Sequence, residues 1–96
     1  MIGKIHVNET NILFACCDKE ILNKEIKFND TSIVISNKFY GTEELSEKEI
    51  LKNIEECTQA NVFGKKACAL LLDKKIITKE NIMDINGVPH VQIYKM

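Results

Sequence analysis

The sequence has a single proline, Pro89, and only four glycines in 96 residues, so no proline- or glycine-rich linker divides it and it reads as one domain. Long apolar runs are missing as well. The longest, residues 12–17 and 67–72, fall far short of the roughly 20 residues a membrane span needs. Met1, Ile2, Gly3 and Lys4 begin no signal peptide. These features lead us to expect a cytoplasmic chain with no membrane partner. Neither sign of charge dominates, because 13 Lys plus Arg face 14 Asp plus Glu. No global field therefore steers the chain to nucleic acid, and any such binding has to be local.

Metal and catalytic signatures are also absent. There is no C-x-x-C pair and no H-E-x-x-H, and only His6 and His90 offer imidazole. The acidic stretch Glu43, Glu44, Glu47 and Glu49 lacks the alternating Asp, Asn and Gly of a calcium loop. Acyl- and phosphoryl-transfer motifs are missing. No metal or cofactor is expected, and no residue is assigned as catalytic. The four cysteines, Cys16, Cys17, Cys57 and Cys68, each lie in an apolar run, where a free thiol acts as a small hydrophobe. Cys16 and Cys17 adjoin in an extended segment and should point to opposite faces of a sheet, which makes a disulfide between them geometrically unfavourable.

What is present is enough hydrophobic patterning for one core, since a chain of this length buries roughly 60 to 70% of its unfolded surface. Residues 2–7 alternate apolar and polar, turn residues follow at 8–11, and "ILFACC" is apolar throughout. This predicts a hairpin with a half-exposed strand beside one buried on both faces. Asp18 is expected to cap a short turn over residues 19–23. "EIKF" and "TSIVIS" flank Asn29 and Asp30 as a second hairpin, and "NKFYGTEEL" reads as a polar connector bending at Gly41.

Ser46 and Glu49 form an S-x-x-E capping box, with Leu45 and Ile50 at the hydrophobic-staple spacing. The helix they open should run to about Gln59, with residues 61–64 breaking it. A second helix over residues 64–75 carries "ACALLL" and is apolar nearly all round, so it should lie deep against the sheet. Thr78 can cap a last short turn over 79–82. Asn86 and Gly87 then form a two-residue turn pairing Ile85 with Val88, Asp84 with Pro89, Met83 with His90 and Ile82 with Val91. Pro89, lacking an N–H, marks an edge position or a bulge. The fold class expected is α+β, a single domain over residues 1–96 in which antiparallel hairpins form a sheet with two main helices packed on it.

Taken in order, "ACCDKEILNKEIKF", "FYGTE", "TQANVFGKKA" and "NGVPHVQIY" resemble the archaeal family known as domain of unknown function 424 over nearly its full length. The resemblance implies an archaeal cytoplasm and brings no activity and no catalytic residues. Thr42 stands where the family pattern looks like a second glycine, and Lys75 where a helix-ending glycine is common.

Three candidate sites emerge. A helix starting at Gly64 offers free backbone N–H groups and a positive dipole end, with Lys65 and Lys66 in its first turn and Asn61 just before it, a setting for a phosphate. The plain alternative is a connection between helices with solvated lysines. His90, Gln92 and Tyr94 share one strand face and could recognise a base or polar ligand, or His90 could act as acid or base; a solvent-facing polar strand is the plain alternative. Tyr40 and Thr42 beside Gly41 could close over a ligand, or Phe39 and Tyr40 could simply anchor the connector to the core. A DNA-reading helix is excluded because "ACALLL" leaves no polar face.

Residues 64–79 hold five lysines, Lys65, Lys66, Lys74, Lys75 and Lys79, against Asp73. The function expected is therefore a small binding module for RNA or another phosphate-bearing ligand, with Asn61, Gly64, Lys65, Lys66, Tyr40, His90 and Gln92 in the site. The alternatives are a small enzyme using His90 as general acid or base, or a protein-interaction subunit. The oligomeric state is left open.

Overall fold

The computed structural model describes residues 1–95. The chain folds as β1 (Ile2–Asn8), β2 (Asn11–Cys17), β3 (Glu25–Phe28), β4 (Thr31–Val34), α1 (Asn37–Tyr40), α2 (Glu47–Glu56), β5 (Gln59–Phe63), α3 (Lys65–Asp73), β6 (Met83–Ile85) and β7 (Val88–Tyr94). Short 3-10 turns precede β3 and β6, at Lys19–Ile21 and Lys79–Asn81. The fold is α+β: a five-stranded sheet in the order β1-β2-β5-β7-β6, with β3 and β4 forming a separate two-stranded sheet. Every pairing in the large sheet is antiparallel except β2 with β5.

The two faces of the large sheet carry two cores. On one, Phe14 and Cys16 of β2 and Val62 of β5 meet Ile50 and Ile54 of α2 and Cys68 and Leu71 of α3. On the other, Ala15, Cys17 and Phe63 meet Ile26, Ile35 and Tyr40. The double burial of β2 explains its unbroken apolar run, and each large aliphatic or aromatic side chain buried there contributes about 1.5–3 kcal/mol. Cys16 and Cys17 do face opposite cores, and all four cysteines are buried free thiols.

Local signals placed several elements well. Ser46 accepts from Glu49 N and Glu49 returns a bond to Ser46 N, closing the capping box. Asn86 and Gly87 both have positive φ, as a two-residue hairpin turn requires. Met83, Asp84 and Ile85 pair with His90, Pro89 and Val88 as expected, but β6 begins at Met83, so Ile82 is not paired with Val91.

Four expectations need correction. Residues 59–63 do not end a helix; they form β5, the central strand, because Ala60, Val62 and Phe63 are buried between β2 and β7. The connector before Gly41 contains the short helix α1, capped by Ser36, whose hydroxyl accepts from Lys38 N. Gly41 is still the bend, at φ +79°. Asp18 makes no side-chain cap to the 3-10 turn that follows it. Pro89 causes no bulge, because the register with β5 and β6 is uninterrupted. Its carbonyl accepts from Gly64 N, and the Gly64 carbonyl that a neighbouring N–H would have served accepts from Cys68 N instead. The missing donor therefore leaves nothing unpaired.

Candidate functional site

β5 supplies the floor of the site. Side chains alternate along a strand, so Ala60 and Val62 enter the helical core while Asn61 and Phe63 point to the opposite face. The register sets Asn61 against Gln92 and Phe63 against His90. From above, Tyr40 of α1 reaches down and its hydroxyl donates to Asn61 Oδ1 at 2.7 Å. Burial, helped by neighbouring Cys17 and Cys16, pushes the Tyr40 phenol above its ordinary range, which keeps it a protonated donor. Tyr40, Asn61, His90 and Gln92, four of the residues singled out from the sequence, thus meet on one sheet face.

Aromatic rings run across that face in a continuous row. His6 stacks on Phe39 at 5.1 Å, Phe39 meets Tyr40 edge-on at 4.9 Å, Tyr40 meets Phe63 edge-on at 6.4 Å, and Phe63 stacks on His90 at 4.0 Å. Such arrangements suit ring quadrupoles and fix each ring's orientation. His6 also bonds the Phe39 carbonyl through Nε2 at 2.7 Å. His6 and Phe63 were not in the expected site, since only a strand at residues 59–63 brings Phe63 under Tyr40 and against His90.

His90 is half-buried, and Nδ1 lies 3.0 Å from the Val62 carbonyl. A carbonyl only accepts, so Nδ1 carries the proton. Burial drives the ring below its ordinary value, against the opposing pull of that carbonyl, so near neutral pH Nε2 is a bare acceptor. Gln92 Oε1 accepts from the Tyr94 hydroxyl at 3.0 Å, and Tyr94 is 67% exposed. Among the described residues no buried side-chain N or O lacks a hydrogen-bond partner. The Asn61 amide nitrogen and His90 Nε2, which bond no atom of the described residues, are therefore not sealed from solvent.

The start of α3, the expected phosphate site, is a different case. Asp18 is only 5% exposed, and its carboxylate accepts from Lys66 N at 2.9 Å and Ala67 N at 2.8 Å. These are the amides an incoming anion would need, and the protein's own anion already holds them. Gly64 N bonds Pro89, and Lys66 Nζ pairs with Glu20 at 2.9 Å. Lys65 is exposed. A groove of about 610 Å³ beside Gly64 is bordered by Asp18, Glu20, Lys65, Lys66 and Val88, and Tyr40, Asn61, His90 and Gln92 are not in its lining.

The third candidate divides as well. Gly41 and Thr42 border a separate groove of about 410 Å³ with Gly3, Lys4 and Asn53, whereas Tyr40 turns the other way and anchors the connector to the core, 4% exposed. Among the described residues no group of three or more His, Cys, Asp or Glu is placed to hold a metal ion, and no helix is long and apolar enough to cross a membrane.

Comparison with known proteins gives a consistent picture. The family model described as "Protein of unknown function (DUF424)" matches residues 5–96. The crystal structure of an uncharacterized conserved protein from Methanopyrus kandleri is similar, with 27% identity and a TM-score of 0.85, over 99% of this chain and 90% of that one. Comparison with curated proteins finds no match.

Proposed function

We propose, from the premise that this chain belongs to the archaeal DUF424 family, that it is a cytoplasmic binding module for RNA or another phosphate-bearing ligand, engaged on the open sheet face around Asn61, His90 and Gln92. The observation that carries this reading is the convergence of Tyr40, Asn61 and His90 along one row of rings. A sheet face with amides to hydrogen-bond and an exposed ring at its margin suits splayed, single-stranded bases. Tyr94 is the exposed platform, and Lys4 and Lys38, both exposed beside Phe39, stand at the rim where a phosphate chain would run. The helix start at Gly64 plays no part in this reading.

The test is a fluorescence-anisotropy titration with short single-stranded RNA at low and high salt. Tyr94→Ala should weaken binding by about tenfold, the effect of one lost base stack. Reversing Lys65 and Lys66 to Glu should matter far less than reversing Lys4 and Lys38. Absence of binding at low salt removes the reading. The competing reading, an enzyme with His90 as acid or base, draws on the same oriented ring. A turnover that His90→Gln abolishes is the result that favours it.

A further inference from the structure

We infer that the outer edge of β1 is an interface at which a second copy of this chain adds its own β1 antiparallel, joining two five-stranded sheets into one. Gly3 N bonds the Glu43 carbonyl and Leu45 N bonds the Met1 carbonyl, so the odd-numbered residues of β1 turn their peptide groups away from β2. Segment 43–45 covers that edge only as far as Gly3, through the bridge of Ile2 with Glu44. Beyond it, the N–H and C=O groups of Ile5 and Val7 bond no backbone atom among the described residues.

Sheets that stay single blunt such an edge with a charge, a proline, a bulge or a very short strand. The stretch from Ile5 to Val7 has none of these. β1 is seven residues long, its register with β2 is uninterrupted, and Ile5 and Val7 are 39% and 72% exposed. The opposite edge of the sheet, β6, has only three residues.

The free groups set the register. A two-fold axis through His6 places Ile5 against the partner's Val7 and Val7 against the partner's Ile5, so each of these pairs exchanges both of its backbone hydrogen bonds. Shape agrees with it. Ile5 pairs with Phe14 and lies on the same face, where both border the groove of about 410 Å³ with Leu45. Directly opposed residues share a face, so the partner's Val7 projects over that groove. Each copy brings one knob and one hollow.

Charge selects the antiparallel sense. Lys4 stands at one end of the open edge and Glu9 just past the other, both exposed. Antiparallel pairing brings each Lys4 beside the partner's Glu9, whereas a parallel pairing would set Lys4 beside the partner's Lys4. Glu9, at φ +46°, is where the chain turns back to β2, so the added strand ends before it reaches Glu43. The axis is perpendicular to the sheet, so the two Asn61-bearing faces look the same way. The interface stands whatever that face binds.

Sedimentation velocity of the intact chain over a wide concentration range should show dimers; a chain that stays monomeric throughout overturns the inference. Val7→Lys should weaken association by about a hundredfold, because it turns a charge into an apolar seam. Val34→Lys, at another exposed aliphatic position, should leave it unchanged. Cross-linking reads the register, since the four native thiols are buried. His6 opposes the partner's His6 at a non-hydrogen-bonded pair with Cα atoms about 4.5 Å apart, within a disulfide's span, so His6→Cys should oxidise to a covalent dimer. Val7→Cys should not, because the two copies of residue 7 lie about 8 to 9 Å apart. A dimer that survives Val7→Lys, or that cross-links through Val7→Cys and not through a folded His6→Cys, overturns the inference. Lys4→Glu should weaken the dimer by about tenfold, two exposed ion pairs being lost, and adding Glu9→Lys should restore it. Failure of this exchange to restore association overturns the antiparallel register even where His6→Cys does not fold.

Discussion

The carboxylate of Asp18 occupies the space that a side chain at Gly64 would need: a Cβ built there would stand 2.6 and 2.7 Å from the two Asp18 oxygens. Gly64 also holds φ at +119°, a conformation that L side chains rarely adopt. The pair forms a joint between β2 and α3, with the end of one strand supplying the cap of a helix far along the chain.

Gly64→Ala should therefore destabilise the fold by about 3 kcal/mol, through a clash with a buried carboxylate and backbone strain. Asp18→Ala should cost about 2 kcal/mol by stripping Lys66 N and Ala67 N of their acceptors. Urea titration reads both, as a lowered midpoint with little change in slope. A wild-type midpoint in Asp18→Ala would mean that water caps α3 equally well.

Tyr40→Phe should lose about 1 kcal/mol of stability, the net worth of one hydrogen bond in a part-buried setting. It should also release the Asn61 amide to rotate, so single-stranded RNA should bind more weakly to the proposed face. Paired thermal melts and binding titrations of the variant check the two effects separately.

His90 makes stability depend on pH in a definite direction. Its folded-state value lies below the ordinary 6.5, so between the two values the unfolded chain binds more protons. The contribution is complete above 6.5 and is lost as pH falls from there toward the folded-state value. Denaturation midpoints across this window should fall with acidification, and His90→Gln should flatten that part of the profile. A slope that persists in the variant would assign the effect to other groups.

Lys75 ends α3 at φ +60°, the left-handed position where glycine is the usual helix-ending residue. Lys75→Gly should raise stability by about 1 kcal/mol, relief of the Cβ strain outweighing the entropy of the more flexible unfolded chain. A stability equal to or below wild type would show that the lysine side chain makes up for its backbone.

Burial pushes the thiols of Cys16 and Cys17 up to about 12 and that of Cys68 to about 11, and thiolate is the reactive form. A colorimetric thiol reagent should find almost no reactive cysteine in the native protein and the full complement once denaturant is added. Rapid labelling of the native chain would place at least one thiol closer to solvent than its packing indicates.

Elements whose cause is local were legible in the sequence. The capping box at Ser46, the turn at Asn86 and Gly87, and the double burial of β2 all follow from residues a few positions apart. β5 was not legible, because "QANVF" directly follows a helix and carries a polar side chain at its centre. Its strand character comes from β2 and β7 on either side, which is tertiary context. Misreading β5 hid the role of Phe63, left open whether Tyr40 meets Asn61, and made the Gly64 amides look free. The carboxylate that holds those amides arrives from Asp18, a distance along the chain that no motif spans.

The strand order also governs how the molecule comes into being. β1 and β2 leave the ribosome early, yet the neighbour that shelters the inner edge of β2 is made only after α2, and β7 closes the sheet later still. Contacts so distant along the chain slow folding and delay any gain until most of the polypeptide exists. The core covered by α2 and α3 is incomplete until Val62, Cys68, Leu71 and Val91 have been made, so that side of the sheet consolidates only once the closing hairpin is free. A truncation that removes β7 would give an unfolded polypeptide instead of a smaller domain.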